Sequence, residues 1–255
     1  MRKSDGHPSC RLDWHIGWRE GILSSVWEDV SVARQLRLDM EISWSTPASA
    51  AVISKVESLS VAGNAEERGA VFTRPEVVEF ILDLAGYTSE AQLHRQRVLE
   101  PSFGQGDFLL PVVSRLLGAW RRERGSASVV DELGDTLRAV ELHRETYQAT
   151  YGILVQVLIE EGLTPSEAGA LADRWLVCDD FLLSTLSGEF DYIVGNPPYV
   201  RQELIPAVLL AEYRARYRTL YDRADLYVPF IERSLSLLAP EGSLALICSD
   251  RWMKN

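Results

Sequence analysis

The four residues Asn196-Pro197-Pro198-Tyr199 hold the most chemistry per position in this chain. They follow the apolar run Tyr192-Ile193-Val194 and Gly195, which reads as a buried strand ending in a loop. Two consecutive prolines can neither continue a helix nor donate to a sheet. The peptide is therefore held extended, with the Asn196 amide and the Pro197 carbonyl turned to a ligand. A carboxamide oxygen and a peptide carbonyl can both accept from one NH2 group, and the Tyr199 ring offers a flat surface beside it. That pair would draw a nitrogen lone pair out of conjugation and toward an electrophile. The same four residues also read as a strand-to-loop turn with a satisfied asparagine.

Three carboxylates stand at comparable places. Glu100 opens the stretch Glu100-Pro101-Ser102-Phe103-Gly104-Gln105-Gly106-Asp107-Phe108. Gly104 and Gly106 allow a tight turn and a close backbone approach to a ligand. The third glycine of a dinucleotide fingerprint is absent, and no Gly-Lys-Ser/Thr follows, so a Walker loop is excluded. An acidic residue before the turn suits a cationic ligand, a sulfonium or an α-ammonium group. Glu141 could take the two hydroxyls of a ribose. Asp180, in Cys178-Asp179-Asp180-Phe181, could accept from an adenine amino group. Alone, the Glu100 stretch also reads as a tight strand-to-helix turn, and Glu141 and Asp180 as helix caps, as does Thr73 before Pro75.

These residues need elements to position them. Periodicity predicts strands over 97–100, 137–142, 175–178, 190–194 and 243–248. Helices are predicted over about 47–60, from 75 to a stop at Gly86, and over 106–120, 143–161, 203–218 and 225–238. A short helix opens at Thr164-Pro165. Alternating strands and helices mean a mostly parallel sheet with helices on both faces. Ligands bind such sheets outside the carboxyl ends of the strands, where Glu100, Glu141, Asp180 and Asn196 fall. Ahead of this lies a Trp-rich, mostly helical region, 1–62, with Trp14, Trp18, Trp27 and Trp44, a helix at 20–37 and a short strand at 39–44.

The 255 residues carry a net charge of −11, which argues against a chain gripping nucleic acid over most of its surface. Lys3, Lys55 and Lys254 are the only lysines. The basic stretch nearest the site is Arg201, Arg214, Arg216, Arg218 and Arg223; it reads as a solvated helix face or as modest phosphate contacts. No apolar run approaches the ~20 residues a membrane span needs. Cys10, Cys178 and Cys248 are too far apart for metal spacing with the histidines. Cys178 and Cys248, in apolar runs, are expected to be buried thiols, and a reducing cytoplasm is the expected compartment.

Taken in order, these stretches resemble the amino-group DNA methyltransferases. The likeness is to adenine methylases of restriction-modification type in the gamma motif order. Val71–Ile81 resembles the family's leading motif, though Phe72-Thr73-Arg74-Pro75 stands where a plain Thr-Pro is commoner. Leu99–Leu109 resembles its cofactor loop, with Glu100 where many members have Asp. Val140-Glu141 and Asp180-Phe181-Leu182 resemble the next two motifs, and Gly195–Tyr199 matches the catalytic motif in full. The stretch from Asp225 to Gly242 resembles the helix that follows.

The resemblance implies a Rossmann-like S-adenosylmethionine-dependent methyltransferase fold over 63–255. It implies S-adenosyl-L-methionine across the strand ends. Glu100, Pro101, Gly104, Gly106 and Thr73 would hold the methionine end, Glu141 the ribose, and Asp180 with Phe181 the adenine. Asn196, Pro197, Pro198 and Tyr199 would form the catalytic set, acting on an adenine taken out of double-stranded DNA. The full fold has seven strands, of which five are legible here. A truncated catalytic part is therefore expected, its DNA contacts coming from a C-terminal recognition domain or a partner chain. Rival readings are a protein glutamine or RNA base methyltransferase, and a catalytically silent subunit of a modification complex.

Overall fold

In the computed structural model the described residues are 48–61, 72–123, 127–221 and 223–249. The expected helix at 20–37, the strand at 39–44 and the four N-terminal tryptophans lie outside them. The chain divides into units 1–42 and 43–255, and everything below belongs to the second.

Five parallel strands form one sheet: β1 (Val98–Glu100), β2 (Leu137–Glu141), β3 (Leu176–Cys178), β4 (Phe190–Gly195) and β5 (Leu238–Leu246), in the order β3-β2-β1-β4-β5. This is the Rossmann-like, doubly wound order through its fifth strand. Alternate side chains of a strand point to opposite faces, and the two cores follow that rule. Val98, Ala139, Tyr192 and Val194 face one cluster. Leu99, Val140 and Ile193 face the other, joined by Phe190, which departs from the alternation across the register shift between Phe190 and Tyr192.

The first face is covered by α2 (Pro75–Leu84), α3 (Leu109–Glu123), the short α4 (Val129–Leu133), α5 (Arg144–Glu160) and α6 (Pro165–Trp175). The second is covered by α1 (Ala50–Val61), α7 (Ala207–Arg216) and α8 (Tyr227–Leu237). Side chains buried this completely contribute roughly 1.5–3 kcal/mol each. Trp175 fills the first core and satisfies its polar end by donating from Nε1 to the Leu133 carbonyl at 2.8 Å. Helix α1 falls within the sequence span assigned to the N-terminal region, yet it packs on α7 and α5.

Several local expectations change. Thr73 does not cap α2: Arg74 holds that position and no side chain caps it, while Pro75 occupies the first turn. The predicted helix over 106–120 begins only at Leu109, because Gly104 and Gly106 have positive φ, 50° and 91°. The helix predicted over 203–218 is α7 flanked by two 3-10 turns. β5 begins at Leu238, well before Ser243, and accommodates Pro240 through a register shift opposite Phe190 and Tyr192. Thr164 does form a full capping box with Glu167. Cys178 is exposed and Cys248 half-buried, against the expected burial. Cys178 closes the edge strand β3, and Cys248 lies two residues beyond the end of the other edge strand, β5, where an apolar run is shielded from one side only.

Candidate active site

Because every strand runs the same way, their carboxyl ends share one edge, and a cleft of about 700 Å³ opens there. Thr73, Glu100, Pro101, Gly104, Glu141, Asp180, Phe181, Asn196 and Pro198 line it. Gly106, Pro197 and Tyr199 are outside its lining. Gly106 shapes the turn from behind: a Cβ there would stand 3.3 Å from Leu110 and Thr150 side-chain carbons.

Glu100 ends β1 almost fully buried, at 1% exposure, and its Oε2 has no hydrogen-bond partner. Burial, with the charges of Asp107 and Glu141 adding to it, pushes its carboxyl well above the usual carboxylate range. An unpaired buried carboxyl costs free energy until a donor arrives.

Glu141 ends β2 and holds two loops at once. Its Oε2 accepts from the Gly104 amide at 3.0 Å and its Oε1 from the His143 amide at 2.7 Å. The Gly104 carbonyl accepts from Thr150 Oγ1 of α5 at 2.8 Å. The glycine turn is thus fastened on both sides.

Asp180 follows β3. Its Oδ1 accepts from the Leu182 amide at 2.8 Å and its Oδ2 from the Tyr213 hydroxyl of α7. Burial raises its pKa to about 6, against the lowering effect of the Tyr213 bond. Phe181 packs on Phe230 with ring centroids 4.9 Å apart.

Asn196 follows β4. Its Nδ2 donates to Thr73 Oγ1 at 3.1 Å, and the Thr73 amide donates to Asp107 Oδ2 at 2.7 Å. A carboxamide whose NH2 end is tied in this way presents its oxygen as the remaining group. Tyr199 lies apart: its hydroxyl donates to the Ile247 carbonyl at 3.1 Å and its ring leans on Tyr227. Burial raises that phenol to about 12.

Asp107 and Tyr213 line the cleft and were not singled out by sequence reasoning. Asp107 sits directly after Gly106, and its place in the glycine stretch was the available signal. Tyr213 had none, because its partner is 33 positions away. Arg216, counted in the basic stretch, is buried and paired with Glu212 at 2.7 Å. Among the described residues no group of three His, Cys, Asp or Glu is placed to hold a metal ion.

Residues 147–255 match the family described as Eco57I restriction-modification methylase. The chain is 62% identical over 204 residues to the Type II methyltransferase M.PaeR7I of Pseudomonas aeruginosa, covering 80% of this chain and 36% of that protein. It is 53% identical over 191 residues to the Type II methyltransferase M.XhoI of Xanthomonas vasicola, covering 74% and 35%. With the Type II methyltransferase M.BstVI of Geobacillus stearothermophilus the identity is 49% over 192 residues, covering 73% and 34%. The chain therefore spans about a third of the length of these curated relatives.

Proposed function

We infer, from the match of residues 147–255 to the restriction-modification methylase family and the likeness to Type II methyltransferases, that this chain's cleft binds S-adenosyl-L-methionine and methylates the N6 amino group of adenine in double-stranded DNA. The observation that carries the reading is convergence. Thr73, Glu100, Glu141, Asp180 and Asn196 come from five separate segments and line one cleft.

The residues present fit the cofactor. The buried Glu100 Oε2, without a partner, is answered by an α-ammonium group. Pro101, Gly104 and Gly106 shape the turn beside that end. The Thr73 hydroxyl, already accepting from Asn196, keeps its own proton to donate to the cofactor carboxylate. Glu141 retains lone pairs for a ribose, and Asp180 with Phe181 takes the adenine edge. When bound, the cofactor supplies an electrophilic methyl group.

The chain's own residues do the rest. The target adenine must leave the duplex to reach the cleft. The Asn196 carboxamide oxygen and the Pro197 carbonyl accept from its amino group and expose the nitrogen lone pair. Pro198 keeps that peptide extended, and the Tyr199 ring, which leans on Tyr227 outside the cleft lining, would turn to stack on the base. No strong base is required, since the proton can leave after the transfer. Catalysis rests on positioning and electrostatics. DNA contacts away from the cleft would come from a C-terminal recognition domain or a complementing chain, in the cytoplasm.

Two measurements test this. Calorimetric titration of the purified chain should detect cofactor binding; no heat at millimolar cofactor ends the reading. Methyl transfer to duplex DNA, with the chain alone and with candidate complementing chains, should yield N6-methyladenine by mass spectrometry. A methylated cytosine, RNA base or glutamine side chain would replace the assignment.

A further inference from the structure

We propose that Tyr213 is a positioning residue: it sets the Asp180 carboxylate for the cofactor's adenine edge and so ties helix α7 to cofactor occupancy. The inference rests on the functional reading above and names a residue that reading does not use.

Tyr213 is buried on α7, and its hydroxyl donates to Asp180 Oδ2. The Leu182 amide holds Oδ1 at 2.8 Å. With one donor on each oxygen the carboxylate plane is fixed, while lone pairs remain for a further donor. Asp180 and Tyr213 both line the cleft, so the fixed carboxylate stands where a ligand can reach it. α7 lies in the segment after the Asn196–Tyr199 loop. The one hydrogen bond therefore joins the cofactor half of the cleft to the element downstream of the catalytic loop.

The groups bearing on Asp180 come from three directions. Asp179, its neighbour, accepts the Asp180 amide at 2.8 Å. Tyr213 and Tyr217 approach from α7 and its end, Tyr217 bonding the Leu182 carbonyl. Arg233 of α8 lies over the Phe181 ring at 5.3 Å. Burial and the Asp179 charge favour the protonated carboxyl; the Tyr213 and Leu182 bonds and Arg233 favour the carboxylate. An ionised carboxylate is the stronger acceptor for an amino group. Removing the phenol shifts the balance toward the protonated form.

The test is calorimetric titration of the full chain with S-adenosylmethionine from pH 5.5 to 8.5, for wild type, Tyr213→Phe, Asp180→Asn and the double variant. Tyr213→Phe is expected to weaken binding about fivefold at pH 6 and less than about twofold at pH 8.5, as a one-unit rise in the Asp180 pKa gives. In the Asp180→Asn background the Tyr213→Phe effect should vanish. 3-Fluorotyrosine at position 213, a stronger donor of nearly the same shape, should move the curve toward acid, and it serves if Tyr213→Phe does not fold. A merely structural role would lower affinity equally at all pH values, or lower thermal stability alone; either result overturns the proposal. So does an effect that persists with Asp180→Asn. If wild type binds cofactor and the tyrosine variants follow its curve, this inference falls and the functional reading stands. If wild type binds no cofactor at any pH, both fall.

Discussion

At the scale of single residues, the site is held by side chains that each serve two partners. The Thr73 hydroxyl accepts from Asn196 and is assigned the cofactor carboxylate as well. Thr73→Val should therefore weaken cofactor binding and slow methyl transfer, each about fivefold, for roughly 1 kcal/mol per lost hydrogen bond. Thr73→Ser should restore both. Calorimetry and single-turnover kinetics separate the two effects. Glu100 is the opposite case, a buried carboxyl whose Oε2 has no hydrogen-bond partner. Glu100→Gln should raise the melting temperature of the ligand-free chain at pH 8, since position 100 then buries no ionisable carboxyl. It should cost cofactor affinity about 10- to 100-fold, the range for a lost charge-assisted hydrogen bond. A variant that binds cofactor as wild type does would remove Glu100 from the ammonium site.

At the scale of elements, the decisive unit is the turn between β1 and α3. Gly106 combines a φ of 91° with 3.3 Å contacts from a built Cβ to Leu110 and Thr150. Gly106→Ala should destabilise the chain by about 1–2 kcal/mol, the cost of a left-handed residue with a side chain, read as a lower urea midpoint. Thr150 on α5 fixes the Gly104 carbonyl. Sequence reading found the two glycines, because glycine pairs announce tight turns. It missed Thr150, because a threonine inside a helix looks like any other until the turn is folded against it. The cap assigned to Thr73 failed for a related reason. A threonine before a proline satisfies the local rule, but a contact 123 positions away claimed its side chain.

At the scale of the whole molecule, the buried acids make the ligand-free fold sensitive to pH. Burial raises the Asp180 pKa from 3.8 to about 6 and pushes Glu100 upward too. The folded state then binds more protons than the unfolded chain, so this contribution is present below about pH 4 and lost as pH rises through 6. For Asp180 it is on the order of 2–3 kcal/mol. Asp180→Asn should flatten that part of the stability curve, which urea titrations between pH 4 and 7 would show. A cofactor ammonium beside Glu100 should lower its raised pKa, so binding should be coupled to proton release. The calorimetric enthalpy near neutral pH should then depend on the ionisation enthalpy of the buffer. Identical enthalpies in phosphate and Tris would mean that no proton is released.

The alternation of strands and helices, the five strand positions and the acids at their ends were legible in the amino-acid order. They depend on period-2 and period-3.6 burial and on turn residues, which are local. The Asn-Pro-Pro-Tyr and glycine stretches were legible because proline and glycine constrain the backbone wherever they stand. Only the folded chain decided which side chains share a hydrogen bond. The pairing of Asn196 with Thr73, of Asp180 with Tyr213 and of Glu141 with Gly104 spans 123, 33 and 37 positions. The exposure of Cys178 was settled by which strand lies at the sheet's edge. Composition and spacing carry no distance across such separations. A parallel sheet supplies it, by bringing every strand's carboxyl end to one edge.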